Sequence, residues 1–179
     1  MELFTTRAYD EITMDEICEA AGVASHGLIN YHFNGKRGLY LEAVSQLADD
    51  FVAYPRAIRS REPVDARLRE YVHYHFEFTQ SHPHGFLAIM SARHADTDVQ
   101  GIVDRARTAA LNDLVEILDI GSEPSPRQKI ALRGWFGYVN AITLDWLDHQ
   151  DDMAIDEISE LCVRILVQSV CVLSPPPRR

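Results

Sequence analysis

Apolar residues recur along this chain at intervals of three and four, and no stretch alternates apolar with polar residues between hairpin turns. That pattern belongs to helices with a buried stripe, so the chain is expected to be all-α. Breakers divide it. Thr13-Met14-Asp15-Glu16 has the form of a capping box, in which a hydroxyl and a carboxylate satisfy the free amides at a helix start. A short helix is therefore expected from Met14 to Ala21, ended by Gly22, and a second from about Ser25 to Phe33. Asn34-Gly35 interrupts the pattern before a longer helix opens at Lys36 and runs toward Pro55. Beyond Pro63, helices are expected over Val64–Gln80, Gly85–His94, Thr97–Ile120, Ser125–His149 and Ile155–Leu173. The closing Pro-rich stretch cannot continue a helix and reads as a frayed tail.

Two short helices joined by a tight Gly-containing turn form a helix-turn-helix, in which the first braces the second in the DNA major groove. At about 100° per residue, His26, Gly27, Asn30 and Tyr31 share one arc of the second helix. Leu28 and Ile29 point away and are expected to join Ile12, Ile17 and Val23 in a small core. The Asn30 amide suits an adenine edge, the Tyr31 hydroxyl a phosphate, and Lys36 adds a charge at the next helix's start. By spacing alone, a polar face on a packed helix fits these residues equally well.

The segment from Thr13 to Val44 resembles the DNA-binding part of TetR-type transcriptional regulators. Thr13 heads the bracing helix, Ala21-Gly22-Val23 makes the turn, Tyr31-His32-Phe33 ends the reading helix, and Lys36 opens the next. The resemblance covers the first 50 or so residues closely and the rest through helix number and an aromatic-rich late helix. It implies an N-terminal helix-turn-helix domain of three helices over residues 1–45, whose first helix is present only as its end. A helical effector-binding and dimerisation domain over 46–174 and a flexible tail over 175–179 would follow. It further implies DNA contacts at Thr13, Ser25, His26, Gly27, Asn30, Tyr31, His32 and Lys36. For His32, a packing role and a phosphate contact both stay open. Repression by a homodimer on a palindromic operator, released by a small effector, is the activity implied.

The helix expected over 125–149 is apolar around most of its circumference, more than one buried stripe requires. Together with the helix over 155–173, which carries Ile158, Leu161, Cys162, Ile165, Leu166 and Val170, it can pair with a symmetry mate or complete the core of a single subunit. Gly134 and Gly137 would permit close approach. An apolar or aromatic effector would find Tyr71, His75, Phe86, Met90, Trp135 and Tyr138, a pocket that rests mainly on the resemblance. Core packing accounts for each of these six residues as well.

Composition sharpens the reading. The 179 residues, 46% of them hydrophobic, can bury a core without staples. Cys18, Cys162 and Cys171 form no CxxC pair, so neither a disulfide framework nor a zinc site is indicated, and a cytoplasmic location is expected. No apolar run approaches the roughly 20 residues that span a bilayer. The net charge of −10 opposes a general affinity for phosphate backbones, and the first 44 residues set Arg7, Lys36 and Arg37 against seven carboxylates. A local site survives this, because distant charges are screened beyond about 8 Å in physiological salt. A helical interaction module without effective DNA binding is the rival reading.

Catalysis finds little support. Glu70 and His73 match half of a di-iron pattern whose second copy is absent, and no nucleophile elbow, P-loop or HExxH occurs. His73, His75, His82, His84 and His94 crowd one region, but His73 and His75 point to different sides of a helix, so no metal or cofactor is expected.

Overall fold

The computed structural model describes residues 3–4, 7–23, 25–53, 63–92, 96–121 and 123–173; of residues 92 and 170–173 it describes the backbone alone. The expected tail over 175–179, His94, and the side chains of Val170 and Cys171 lie outside the described residues. The described chain is helical: α1 Met14–Ala21, α2 His26–Phe33, α3 Gly35–Ala53, α4 Val64–Ser81, α5 Pro83–Ala92, α6 Thr97–Ile117, α7 Pro126–Asp148 and α8 Ile155–Leu173. A single 3-10 turn, Tyr9–Glu11, precedes them, and no strand occurs among the described residues. Each expected helix is found; the expected ends near Pro55 and at His94 lie outside the described residues, and the other ends agree to within three residues.

Two compact units share these helices: Met1–Val52 with Ser81–Arg107, and Ala53–Gln80 with Thr108–Arg179. In the first unit, Ile12, Ile17, Cys18 and Ile29 pack with Tyr40, Ala43, Val44 and Ala48 of α3 and with Val99, Ile102 and Val103 of α6. Phe4 and Tyr9 complete this core, meeting Tyr40 at ring-centroid distances of 5.5 and 4.9 Å. Ile29 is buried as expected, but Leu28 is 49% exposed. Leu28 stands instead on the lip of an open apolar groove of about 260 Å³, with Ala20, Ala21, Val23, His32 and Phe33 among its walls, so helix periodicity assigned it an inward side that is unfilled.

In the second unit, Leu68, Tyr71, Val72 and Phe76 of α4 meet Leu114 and Ile117. Leu132, Trp135, Val139 and Trp146 of α7 and Ile158, Cys162, Val163 and Leu166 of α8 close this core. Both indoles are anchored as well as buried: Trp135 Nε1 donates to the Cys162 carbonyl at 2.8 Å and Trp146 Nε1 to the Met153 carbonyl at 2.8 Å. The start of α7 is fixed by a second capping box, Ser125 with Gln128, and by Pro126 at its first position. Its outer side stays open: Ile130 is 63% exposed, and Gly134, Gly137 and Ala141 follow it on the surface. A methyl group added at Gly134 or Gly137 would meet nothing within 4 Å.

Candidate nucleic-acid interface

The frame around α2 is set by local chemistry. The Thr13 hydroxyl accepts from the Glu16 N–H at 3.2 Å, while the Thr13 N–H donates to Glu16 Oε2 at 2.7 Å, the reciprocal pair that the spacing predicts. Arg7 Nη1 donates to the other carboxylate oxygen at 2.7 Å. The Arg7 guanidinium, with the Thr13 backbone and hydroxyl, holds the Glu16 carboxyl down at about 2. At the far end of α1, Gly22 takes φ of 65°, where a side chain would be strained, and its N–H closes the helix.

α2 runs eight residues and stops at Asn34, which adopts φ of 58° and donates its N–H to the Asn30 carbonyl at 3.0 Å. That single residue is the whole link to α3. The first turn of α3 then presses against the end of α2 so closely that a Cβ on Gly38 would lie 1.6 Å from the Phe33 carbonyl oxygen. No side chain fits there, so the Gly38 position requires glycine whatever its φ.

The outward edge of α2 carries Ser25, His26, Gly27, Asn30, Tyr31 and His32, all exposed, with Tyr31 at 84%. Ser25 occupies the N-cap position without a capping bond from its hydroxyl. The His26 Nε2–H donates to Asp15 on α1 at 2.7 Å. The Asn30 side-chain oxygen lies against Gly35, 3.4 Å from where that residue's Cβ would stand. The Tyr31 and His32 rings meet edge to face at 5.0 Å, and His32 also walls the apolar groove. Lys36 sits over the Tyr9 ring, its Nζ 4.1 Å from the centroid, a contact that orients the ammonium without cancelling its charge. Thr13 is exposed, with its hydroxyl committed to the cap.

Comparison with known proteins decides what this frame is. Residues 1–43 match the family model "Bacterial regulatory proteins, tetR family", and residues 64–170 match "Tetracyclin repressor-like, C-terminal domain". The chain belongs to the TetR family. It is a DNA-binding transcriptional regulator and not an enzyme, with the N-terminal helix-turn-helix and C-terminal helical domain of that family. The HTH-type transcriptional activator FasR of Mycolicibacterium smegmatis is 31% identical over 166 residues, which are 88% of this chain and 72% of that one. A TetR-family regulator of Streptomyces coelicolor superposes with a TM-score of 0.85 at 31% identity over 95% of this chain and 76% of its own. FadR of Bacillus subtilis, solved with stearoyl-CoA, shares the fold at 18% identity, with a TM-score of 0.75 and 94% of each chain covered. No described helix of this TetR-family chain is long and apolar enough to cross a membrane.

The six residues assigned to an effector are placed differently. Tyr71, His75 and Trp135 are buried in the second unit and Tyr138 is half-buried there, whereas Phe86 and Met90 belong to the first unit. The Tyr71 hydroxyl donates to the Ala110 carbonyl at 3.4 Å. His75 Nε2–H donates to the Thr143 hydroxyl at 2.9 Å, and that hydroxyl in turn donates a hydrogen bond to the Val139 carbonyl at 2.8 Å. Complete burial pushes the His75 imidazole down to about 4, so it is neutral at physiological pH. An open cavity of about 540 Å³ in this unit is walled by other residues, among them Leu111, Asn112, Val115, Lys129, Leu132 and Arg133. No group of three or more potential metal-ligating side chains occurs among the described residues.

Proposed function

We propose that the chain works as a homodimer that lays α2 in the major groove of a palindromic operator, with occupancy set by a small apolar or aromatic effector. The carrying observation is the outward, rigidly braced edge of α2: Ile29 is buried while Asn30 and Tyr31 project into solvent. In this reading Asn30 pairs with an adenine edge, Tyr31 and Lys36 hold phosphates, and Ser25, His26 and Gly27 approach the backbone at the helix start. Thr13 and His32 flank the contact, Thr13 chiefly by fixing α1.

The open stripe of Ile130, Gly134, Gly137 and Ala141 on α7 supports pairing with a second copy, since small residues let helix axes approach. A twofold pair would present its reading helices to half-sites about one turn (~34 Å) or its multiples apart. The effector reading draws on Tyr71, His75, Trp135 and Tyr138. The polar ends of Tyr71, His75 and Trp135 are satisfied within the unit, so an effector must displace existing packing there. The complex of Bacillus subtilis FadR makes stearoyl-CoA the first probe. Repression is the sign that the resemblance suggests, and the activator FasR supplies the opposite precedent, so a promoter fusion reads the sign directly.

Selection of duplexes from a randomised pool, followed by footprinting over a salt series, tests the assignment. Asn30→Ala is expected to blur preference at one base position, at a cost of about 1–3 kcal/mol. Tyr31→Ala and Lys36→Ala should weaken all sequences alike. If all three bind like the parent, the contacts lie elsewhere. The rival reading, a helical module without DNA activity, is favoured by the carboxylate partners of Arg7 and Arg37 and requires that no duplex be retained even at low salt.

A further inference from the structure

Arg37 follows Lys36 in the first turn of α3, where a phosphate contact is the obvious assignment, yet its guanidinium is engaged within the protein. Nη1 donates to Asp96 Oδ2 at 2.9 Å, and Nη2 donates to Asp96 Oδ1 at 3.0 Å and to Asp98 Oδ2 at 2.8 Å. The fork on Asp96 uses both carboxylate oxygens, a planar geometry that an ammonium cannot reproduce. Asp96 is fixed in turn. Its Oδ1 accepts from the backbone N–H groups of Asp98 at 3.1 Å and Val99 at 3.3 Å, which anchors it to the start of α6. Val99 is wholly buried in the same core as Tyr40 and Val44 of α3. The Arg37 guanidinium keeps the Asp96 carboxyl below its usual range, so the bracket persists through neutral pH.

We propose that Arg37 is a positioning residue for DNA reading: it ties the first turn of α3 to the capped start of α6, thereby setting how α2 and Lys36 are presented, and touches no phosphate itself. The inference rests on the DNA-reading assignment of α2. Transmission to α2 is short, because Asn34 alone joins the two helices and Gly38 packs against the Phe33 carbonyl. A phosphate that took Arg37 from its partners would break three charge-assisted hydrogen bonds. It would also leave Asp96 and Asp98 as uncompensated negative charges beside the duplex, which like-charge repulsion opposes.

The test uses the full chain and a duplex that the wild type has selected from a randomised pool, with affinity measured over a salt series. Arg37→Gln and the pair Asp96→Asn with Asp98→Asn are each expected to lower affinity roughly fivefold or more, in the range typical of coupled sites, without changing the salt slope. The combined variant should bind no worse than Arg37→Gln, since all three substitutions open one bracket. Arg37→Lys should fail to restore binding. Lys36→Gln serves as the contrast, with a slope smaller by about 0.9, the signature of one lost phosphate contact. A flatter slope for Arg37→Gln, or tighter binding when the aspartates become amides, would make Arg37 a masked phosphate ligand and overturn the proposal with the DNA-reading assignment intact. Failure of the wild type to retain any duplex at low salt would instead remove that assignment, and this inference with it.

Discussion

Two sets of polar and aromatic side chains, one on α2 and one on α4 and α7, look alike in sequence and are opposite in structure. His26, Asn30 and Tyr31 stand in solvent on a helix whose every anchor lies behind or beside them. Tyr71, His75 and Trp135 are enclosed, and each has found a hydrogen-bond acceptor within its own unit. Asn30 and Tyr31 present exposed polar groups, while His26 already shares its imidazole with Asp15; the second set is part of what holds its unit together. Residue type alone does not tell a packed set from an exposed one, whereas burial with satisfied hydrogen bonds does.

The contrast can be broken by substitution. The largest effect is expected at Gly38, where alanine must push apart the end of α2 and the start of α3. Gly38→Ala should cost about 3 kcal/mol or more, read as a lowered urea midpoint, and should abolish operator retention. Acid titration probes the buried set next. As pH falls below about 6.5 the unfolded chain protonates His75 while the folded chain resists until about 4. Stability is therefore flat above that window and declines through it by about 3 kcal/mol. His75→Gln should remove that dependence from urea unfolding curves. Glu16 acts in a lower window: its depressed carboxyl contributes above the ordinary range near 4.5, and that contribution disappears as pH falls toward 2. Thr13→Ala should cost about 1 kcal/mol through the lost cap. Smallest of all, Asn30→Ala and Tyr31→Ala should change the unfolding free energy from urea curves by no more than about 0.5 kcal/mol while impairing DNA binding. A large loss of stability at Tyr31 would erase the distinction between the two sets.

Sequence reading succeeded where the information is local. The Thr13–Glu16 box and the Gly22 turn are written within a few consecutive residues, and the structure realises them; the Ser125–Gln128 box is equally local and went unread. It failed where the answer depends on distant chain. Leu28 follows helical periodicity inward, but only the contents of the groove beneath it decide whether that side is filled. Val99, Ile102 and Val103 enter the core around α1 to α3 from a helix that sequence proximity does not suggest. Arg37 reads as half of a basic pair until Asp96 and Asp98, some sixty positions later, are seen to neutralise it. Net charge likewise says nothing about which cations remain available.

The single-residue link at Asn34 leaves α2 no slack. With the neighbouring turn shut against Phe33, the joint between α2 and α3 has no room to be re-aimed by a side chain added at Gly38. If α2 reads DNA as proposed, a descendant protein seeking a different target sequence would have to exchange side chains along α2, one letter at a time, on an unaltered backbone.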